Sequence, residues 1–242
     1  MDELTFHRTL HRMHRPSGTL LDIGAHDGDF TRPFAALPDS RVLAFEPLPT
    51  AFARLAAQPW PAHVTLRREA LGDHTGEITL TLPVVAGVPQ EQWASTAKGY
   101  AQHPGVAELR HQVPLITLDS LGLTDVTHVK LDAEGGEYEV LRGGRETLLR
   151  CRPVLSIEIE ERHRPGATHS VPAYLDALGY DAFWEWWGDW QPMATFDRAR
   201  MHQANPDPSV SENPGDYVFV FYFLPREHTA AMLASLRAAE AD

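Results

Sequence analysis

The fold of this chain is decided at residues 20–28, Leu-Leu-Asp-Ile-Gly-Ala-His-Asp-Gly, where an apolar strand runs into a turn with two glycines. Gly24 and Gly28 can adopt backbone angles that other residues avoid, and they let a ligand approach the main chain. The helix expected after the turn offers free backbone N–H groups. A second apolar strand ends about twenty residues later in Glu46, whose two oxygens suit the paired hydroxyls of a ribose. The two strand ends together predict a pocket for a nucleoside cofactor.

The charges around the turn favour one nucleoside cofactor over another. A dinucleotide site usually has the spacing G-x-G-x-x-G and places a pyrophosphate on the turn, whereas this chain has G-x-x-x-G. Asp22, Asp27 and Asp29 would repel a pyrophosphate, but they suit the amino group and the sulfonium of S-adenosylmethionine. The turn therefore favours the methyl donor. The alternative is a tight structural turn that holds no ligand.

Size and charge restrict the class of protein. The chain has 242 residues, of which 43% are hydrophobic, and this is enough for one domain over residues 1–242 with a proper core. The formal net charge is −12, so the broad positive field that would neutralise phosphates is missing. We expect neither nucleic acid nor a membrane as a partner.

The cysteine count and the apolar runs indicate the compartment. Cys151 is the only cysteine, so no intrachain disulfide can form. The N-terminal segment lacks an apolar core of signal-peptide length, and the apolar run 218–224 is too short to cross a bilayer. We expect a cytoplasmic protein.

Apolar strands alternate with helical segments along most of the chain, which is typical of an α/β fold with a parallel sheet and helices on both faces. The strands are predicted at 19–23, 41–45, 64–68, 78–82, 126–131, 154–159, 180–184 and 217–224. The helices are predicted at 3–14, 30–36, 50–57, 138–149 and 171–178. Two loops, near 84–112 and 200–216, interrupt the alternation. Because long loops in compact domains often bind ligands, they are candidates for substrate contact.

Acidic residues are concentrated in the stretch 128–137, His-Val-Lys-Leu-Asp-Ala-Glu-Gly-Gly-Glu, at the end of a predicted strand. Ligands of open parallel sheets bind beyond the carboxyl ends of the strands, so Asp132 and Glu134 should lie beside the first two strand ends. Glu137 opens the next helix, where the helix dipole favours an acidic residue, and we interpret it as structural. Lys130 is predicted to be buried and paired with a carboxylate such as Glu158.

Six motifs in order make the chain resemble the FkbM family of S-adenosylmethionine-dependent methyltransferases. They are D-I-G-A-H-D-G-D-F at 22–30, F-E-P-L-P at 45–49, A-L-G-D-H-T-G at 70–76, L-I-T-L-D-S-L at 115–121, K-L-D-A-E-G-G-E-Y-E-V-L-R-G-G at 130–144 and P-V-L-S-I-E-I at 153–159. The resemblance implies a class I methyltransferase, Rossmann-like three-layer sandwich. Its mostly parallel sheet has seven strands, the last one antiparallel. It also implies methylation of a hydroxyl on a small molecule, such as a natural product or a sugar.

The resemblance also implies roles for individual residues. The methionine part of the cofactor would be surrounded by residues of the first turn, the adenine by residues that follow the second and third strands, and Asp132 would approach the methyl group. Glu46 would bind the ribose. The cofactor residues implied in this way are Asp22, Gly24, Ala25, His26, Gly28, Glu46, Pro47, Leu48, Ala70, Leu71, Gly72 and Asp132.

Methyl transfer to an alcohol requires a group that accepts the hydroxyl proton. Asp132 and Glu134 are the leading catalytic candidates, and three histidines in predicted loops are the next, His103, His163 and His202. A metal ion could replace the base: Mg²⁺ held by Asp132 with Glu158 or Glu160 is a possible but less favoured cofactor. Activity that survives excess EDTA undiminished would exclude it. The evenly spaced His7, His11 and His14 are expected on a solvated helix face.

Several alternatives remain open at the level of the sequence. The tryptophans within 183–190 could line an aromatic pocket, or form a hairpin that packs on the sheet or contacts another subunit. The favoured function is O-methylation of a hydroxylated small molecule. A nicotinamide-dependent oxidoreductase and a catalytically inactive binding module are the alternatives. Neither the acceptor nor the oligomeric state can be predicted.

Overall fold

A computed structural model describes residues 1–100, 105–203 and 217–241 of the chain. Six of the twelve strands in these residues begin and end within two residues of the apolar runs that predict them. The strands of the described residues are, in chain order, β1 (Gly18–Ile23), β2 (Ser40–Phe45), β3 (Val64–Arg67), β4 (Ala70–Leu71), β5 (Gly76–Val85), β6 (Val88–Pro89), β7 (Val106–Ile116), β8 (Val126–Leu131), β9 (Val154–Glu158), β10 (Tyr180–Trp186), β11 (Asp189–Pro192) and β12 (Val220–Pro225).

Helices connect most of these strands, and short 3₁₀ turns lie at Glu91–Trp93, Asp119–Leu121 and Met193–Thr195. The α-helices of the described residues are α1 (Glu3–Met13), α2 (Thr31–Ala35), α3 (Pro49–Ala56), α4 (Glu137–Gly143), α5 (Arg145–Cys151), α6 (Ala167–Ala177), α7 (Arg198–Met201) and α8 (Thr229–Ala241). Within the described ranges, no helix combines the length and the apolar character that crossing a membrane requires.

The main sheet has the strand order β11-β10-β12-β9-β8-β1-β2-β3. Strands β3, β2, β1, β8 and β9 are parallel, whereas β12, the last strand of the chain, runs antiparallel between β9 and β10. The predicted α/β class, with an antiparallel last strand, is confirmed. The eighth strand is an addition: β11 pairs with β10 in a hairpin whose tip residues Trp187 and Gly188 both have positive φ.

The main sheet is covered on both faces, as a three-layer sandwich requires. One face packs the odd-numbered β1 residues Leu21 and Ile23 with side chains from α4, α5 and α6. On the other face, Phe6 and Leu10 of α1 pack with α8 and with β12. Because β1, β8 and β9 are buried on both faces, their polar residues are buried together with the apolar ones, among them Asp22, His128, Lys130 and Ser156.

A second sheet, with the order β4-β7-β5-β6, interrupts the alternation between β3 and β8. The prediction of a loop over 84–112 is therefore wrong for residues 106–112, which belong to β7 and pair antiparallel with β5 along its whole length. The physical reason is that β7 is largely exposed. Arg110 and Gln112 are exposed and Glu108 is half-buried, and these charged and polar residues conceal a strand whose stability comes from its long partner.

The helix predicted over 138–149 is divided into α4 and α5 at Gly143 and Gly144. A Cβ at Gly143 would lie 1.9 Å from the carbonyl oxygen of Gly72, so the end of α4 approaches the backbone after β4 more closely than any side chain allows. Gly143 therefore fixes the distance between the main sheet's helices and the second sheet.

The predicted solvated face of α1 is wrong for two of its three histidines. His7 and His11 are fully buried against the sheet, and only His14 is partly exposed. His7 Nδ1 lies 3.1 Å from Nδ1 of His128 on β8, and its Nε2 lies 2.7 Å from the Ser156 hydroxyl oxygen on β9. These histidines belong to the same apolar stripe as Phe6 and Leu10, because positions three and four apart share a helix face.

This buried pair predicts acid sensitivity of the fold. Burial, with a contribution from Lys130, lowers the pKa of His7 to about 3, and burial next to His7 lowers that of His128 well below its usual value. The unfolded chain therefore binds protons that the folded chain cannot. This contribution to stability is present above pH ~6.5 and falls by up to about 1.4 kcal/mol per pH unit for each histidine as the pH decreases toward 3.

Urea unfolding of the wild type and of His7→Gln between about pH 7 and pH 5 measures this effect. Buried glutamates with raised pKa values change stability in the opposite direction, so the difference in slope between the two proteins isolates His7. We expect a shallower loss of stability in the variant. Equal slopes would show that His7 does not carry the effect.

Candidate functional site

A cavity of about 350 Å³ lies at the carboxyl ends of β1, β2 and β8. At this edge the strand order reverses on either side of β1, which is where ligands of open α/β sheets bind. The second sheet and the turn Glu91–Trp93 close the opposite side. The predicted site residues that line the cavity are Gly24, His26, Glu46, Pro47, Ala70, Leu71, Asp132 and Glu134.

The floor of the cavity is formed where β1 and β8 end. Gly24 has φ +83°, and a Cβ on it would lie 1.9 Å from the carbonyl oxygen of Asp132. The backbone N–H of Gly24 donates to Phe45 at 3.0 Å, and that of Asp132 donates to Ile23 at 2.9 Å. The three strand ends are thereby held at separations that only glycine at position 24 permits.

Glu46 forms one wall, at the end of β2. One carboxylate oxygen accepts the backbone N–H of His26 and the other accepts that of Leu48, both at 2.8 Å. The residue is 6% exposed, and burial raises its pKa, although the two backbone hydrogen bonds work in the opposite direction. His26 has φ +44°, a conformation that costs a non-glycine residue energy and occurs often at binding sites. Each Glu46 oxygen keeps a second lone pair for a ligand.

Lys130 lies below the floor and is 7% exposed. Its Nζ donates to the Gly24 carbonyl at 3.2 Å and lies 3.4 Å from Asp132 Oδ2. Burial disfavours its charge, but Asp132 and Asp22 outweigh burial and raise the pKa of Lys130. The prediction of a buried, paired lysine is correct. Its contact partner is Asp132, whereas Glu158 acts only from a greater distance.

Glu134 forms the wall next to Asp132. Its φ is +51°, and its carbonyl accepts a hydrogen bond from the Ser95 hydroxyl at 2.5 Å. Lys98 Nζ lies 3.0 Å from its carboxylate. Burial raises the pKa of Glu134 to about 8 despite this ammonium group. These contacts attach the segment after Trp93, which carries part of the cavity lining, to the end of β8.

Glu137 has the structural role that we interpret from its place at the start of α4. One of its carboxylate oxygens accepts the backbone N–H groups of Ala133 and Gly135, each at 3.0 Å. Burial raises its pKa to about 7. It fixes the turn that carries Glu134 and does not line the cavity.

Five predicted cofactor residues do not line the cavity. Each supports the turns around it instead. Asp22 is fully buried and accepts a hydrogen bond from Thr31. Ala25 and Gly28 pack against α3 and its C-terminal neighbour Trp60. Leu48 and Gly72 pack into the second sheet. The predicted residues outside the cavity lining are Asp22, Ala25, Gly28, Leu48 and Gly72.

The predicted Mg²⁺ ligands are already engaged with other groups. Asp132 faces Lys130, and Glu160 accepts hydrogen bonds from Arg162 at 2.7 Å and from Tyr217 at 2.5 Å. Glu158 lines the cavity. A pair made of Asp132 with Glu160 would displace both sets of contacts, so the structure does not favour it.

The two other candidate bases that the structure describes, His163 and His202, do not line the cavity. His103 lies outside the described residues. His202 stacks on Tyr217 and its Nε2 bonds to the Val218 carbonyl. His163 is buried behind Glu134, with its Nε2 3.4 Å from that carboxylate.

The tryptophan-rich stretch forms the β10–β11 hairpin, which lies away from the cavity at the strand ends. Trp184 and Trp190 are buried in the hydrophobic core, and Trp187 is 90% exposed at the tip. None of the described residues in this hairpin lines the cavity. The packed-hairpin alternative is therefore confirmed, and the hairpin contributes no wall to the cavity at the strand ends.

Several lining residues could not be assigned from the sequence. Glu91, Gln92 and Trp93 come from the second sheet, and Arg162 comes from the turn after β9. Arg54 on α3 joins the turn Glu91–Trp93 to the turn after β1, because it contacts Asp27 at 2.8 Å and Glu91 at 2.7 Å. In the sequence, the only indication of these lining residues is that 84–112 interrupts the alternation of strands and helices. That signal locates a lining segment without identifying its side chains.

The strand order and the position of the cavity define a class I methyltransferase fold. The family model described as the methyltransferase FkbM domain matches residues 22–182. The chain belongs to the FkbM methyltransferase family.

Two comparisons extend this finding. The chain is 28% identical over 153 residues to the 2-O-methyltransferase NoeI of Sinorhizobium fredii (strain NBRC 101917 / NGR234), covering 58% of this chain and 63% of that protein. The methyltransferase FkbM from Methylobacillus flagellatus KT has a similar fold, with a TM-score of 0.50 and 15% identity over 89% of this chain and 47% of that one. The chain thus spans less than two thirds of either relative, and the second comparison supports the fold alone.

Proposed function

We propose that this protein transfers a methyl group from S-adenosylmethionine to a hydroxyl group of a small molecule. Membership of the FkbM family supports methyl transfer, and similarity to a protein named as a 2-O-methyltransferase supports oxygen as the acceptor atom. The observation that carries the proposal is the cavity itself. Glu46 forms one wall and the close Gly24–Asp132 contact forms the floor, at the end of the sheet where nucleosides bind.

The polar atoms of the cavity fit this cofactor. Asp132 Oδ1 and His26 Nε2 are buried and have no hydrogen-bond partner among the described residues. Such groups are costly unless a ligand or water satisfies them. Glu46 retains lone pairs for ribose hydroxyls, and Asp132 provides negative charge for an amino group and a sulfonium. Pro47, Ala70 and Leu71 would then lie against the adenine.

Catalysis would depend on the positions of the carboxylates and on the turn Glu91–Trp93, which covers the cavity. When bound, the cofactor supplies an electrophilic methyl group. Asp132 would accept the proton of the acceptor hydroxyl, and Lys130 would hold the Asp132 carboxylate in place through the 3.4 Å contact. Gln92 and Trp93 would exclude water and help to align the acceptor oxygen with the methyl carbon.

Calorimetry with S-adenosylhomocysteine tests the cofactor directly. We expect saturable binding, followed by methyl transfer to one or more hydroxylated compounds in an assay with S-adenosylmethionine labelled in the methyl group. A parallel titration with NADH tests the oxidoreductase alternative. Absence of S-adenosylhomocysteine binding at high micromolar concentration would refute the proposal, and binding without turnover on any acceptor would favour an inactive binding module.

Replacement of Glu46 by alanine should weaken cofactor binding by roughly 1 to 3 kcal/mol, the range for loss of a hydrogen bond to a charged group. The physical reason is that the ribose hydroxyls would lose both acceptor oxygens, and the backbone N–H groups of His26 and Leu48 would lose their acceptor as well. Calorimetry with S-adenosylhomocysteine measures the change, and Glu77→Ala on the exposed side of β5 is the control. Unchanged affinity in Glu46→Ala would remove Glu46 from the ribose-binding role.

A further inference from the structure

Three potential metal ligands converge behind one wall of the cavity. A carboxylate oxygen of Glu134, one of Glu158 and an imidazole nitrogen of His163 all lie within 4.8 Å of one another. They come from three places in the fold: the turn after β8, the end of β9 and the turn that follows β9. Glu134 and Glu158 line the cavity, whereas His163 closes the group from behind.

We propose that Glu134, Glu158 and His163 bind one divalent transition-metal ion, of the Mn²⁺ or Zn²⁺ type, at the cavity wall. Carboxylate oxygens suit Mn²⁺, imidazole nitrogen suits Zn²⁺ and its neighbours, and Mg²⁺ prefers oxygen alone. Three protein ligands leave further coordination positions open, as in catalytic metal sites. Since only His163 lies away from the cavity, the open positions would face the space where a ligand enters.

The histidine distinguishes this group from an ordinary acidic cluster. The His163 side chain is 6% exposed. Its Nε2 lies 3.4 Å from a carboxylate oxygen of Glu134 and 3.2 Å from one of Glu160, so the ring faces the acidic group. A buried imidazole beside carboxylates is a donor set for a metal ion, whereas surface acidic groups lack such a component.

The distribution of charge around the group gives an independent reason. Asp132 has Lys130 as its partner, Glu134 has Lys98 and Glu160 has Arg162. Glu158 has no ion-pair partner among the described residues. Its carboxyl group is instead mostly buried, with the acidic side chains of Asp132, Glu134 and Glu160 nearby.

A carboxylate that is mostly buried and meets another carboxylate needs either a proton or a cation. The cation partners available nearby are already used by the neighbouring acids. A divalent ion bound between Glu158, Glu134 and His163 would supply the missing positive charge.

The consequence for chemistry rests on the proposed function. An ion at this wall would lie beside Asp132, where an acceptor hydroxyl must enter, and would make that hydroxyl more acidic. The hydroxyl proton would pass to Asp132, the oxygen would form the new bond to the methyl carbon, and the carbon–sulfur bond would break with its electron pair leaving on sulfur. Glu134, predicted from the sequence as a base, would then be a metal ligand.

Electron paramagnetic resonance of the full chain with Mn²⁺ tests the site without any assay of activity. We expect one bound Mn²⁺ per metal-stripped chain, competition by Zn²⁺, and electron spin echo modulation from a directly coordinated ¹⁴N nucleus. His163→Ala should lose the nitrogen modulation, and Glu158→Gln should weaken Mn²⁺ binding by about tenfold or more.

Glu139→Gln is the matched control, because Glu139 lies on α4 in a pair with Arg164 and outside the cavity. It should bind Mn²⁺ like the wild type. Circular dichroism shows whether His163→Ala folds. If it does not, the nitrogen modulation of the wild type and the Mn²⁺ affinity of Glu158→Gln still test the metal site. No saturable binding of Mn²⁺ or Zn²⁺ at millimolar concentration, or binding without nitrogen coordination in the wild type, would overturn the inference.

A titration with S-adenosylhomocysteine on the same samples separates the two proposals. Binding of S-adenosylhomocysteine without metal binding would refute the metal site and leave the proposed function intact. Nitrogen-coordinated Mn²⁺ without S-adenosylhomocysteine binding would support the metal site and refute the proposed function.

Discussion

Replacement of Gly24 by alanine is expected to destabilise the fold by more than about 3 kcal/mol and to abolish cofactor binding. The new Cβ would lie 1.9 Å from the Asp132 carbonyl oxygen, at a φ of +83° that L-residues rarely adopt. Neither backbone segment can easily move away, because the N–H of Gly24 donates to the Phe45 carbonyl and the N–H of Asp132 donates to the Ile23 carbonyl across the sheet. The strand ends would therefore separate at the floor of the cavity.

Urea unfolding gives the stability of Gly24→Ala, and calorimetry with S-adenosylhomocysteine gives its affinity. Gly76→Ala is the matched control, since a Cβ there meets no atom of the described residues within 4 Å and its φ is not in the left-handed region. We expect the control to unfold within about 0.5 kcal/mol of the wild type. A Gly24→Ala protein as stable as the control would show that the floor is less rigid than its contacts indicate.

Asp132→Asn is expected to lower kcat by about 10² to 10⁴, the usual contribution of a positioned general base. An amide keeps the size of the side chain and cannot accept the hydroxyl proton in the same way. Loss of the negative charge also leaves Lys130 with a weaker partner, so stability should fall by about 1 to 3 kcal/mol. The effect on S-adenosylhomocysteine affinity should be much smaller than the effect on kcat.

Separate measurement of kcat and KM, together with calorimetry, distinguishes a proton acceptor from a residue that only binds. Asp189→Asn on the exposed strand β11 is the control and should have wild-type kinetics. A kcat of Asp132→Asn within threefold of the wild type would exclude Asp132 as the base and direct attention to the other carboxylates of the cavity.

The part of the site that could be predicted from the sequence is the part built by strand ends. Gly24, Glu46 and Asp132 each follow an apolar run, and parallel strands place such positions at one edge of the sheet. Local pattern and topology agree here, so three separate motifs meet at one cavity.

Other features could not be predicted, because neighbours distant in sequence determine them. β7 carries charged residues on its exposed side, and its pairing with β5 gives it strand structure. His7 appears solvated by residue type, but the Ser156 hydroxyl and the His128 ring satisfy its two nitrogens inside the core. Arg162 reaches the cavity only through the path of the chain after β9.

The second sheet leaves the main fold and returns to it at one point. Leu71 of β4 pairs with Ile116 of β7, and the N–H of Gly72 donates to the Ile116 carbonyl at 3.0 Å. The two ends of the intervening segment are therefore side by side, so its length and side chains can change during evolution without shifting the register of the main sheet. Selection for a new acceptor can act on Glu91, Gln92 and Trp93 while the opposite wall is inherited unchanged.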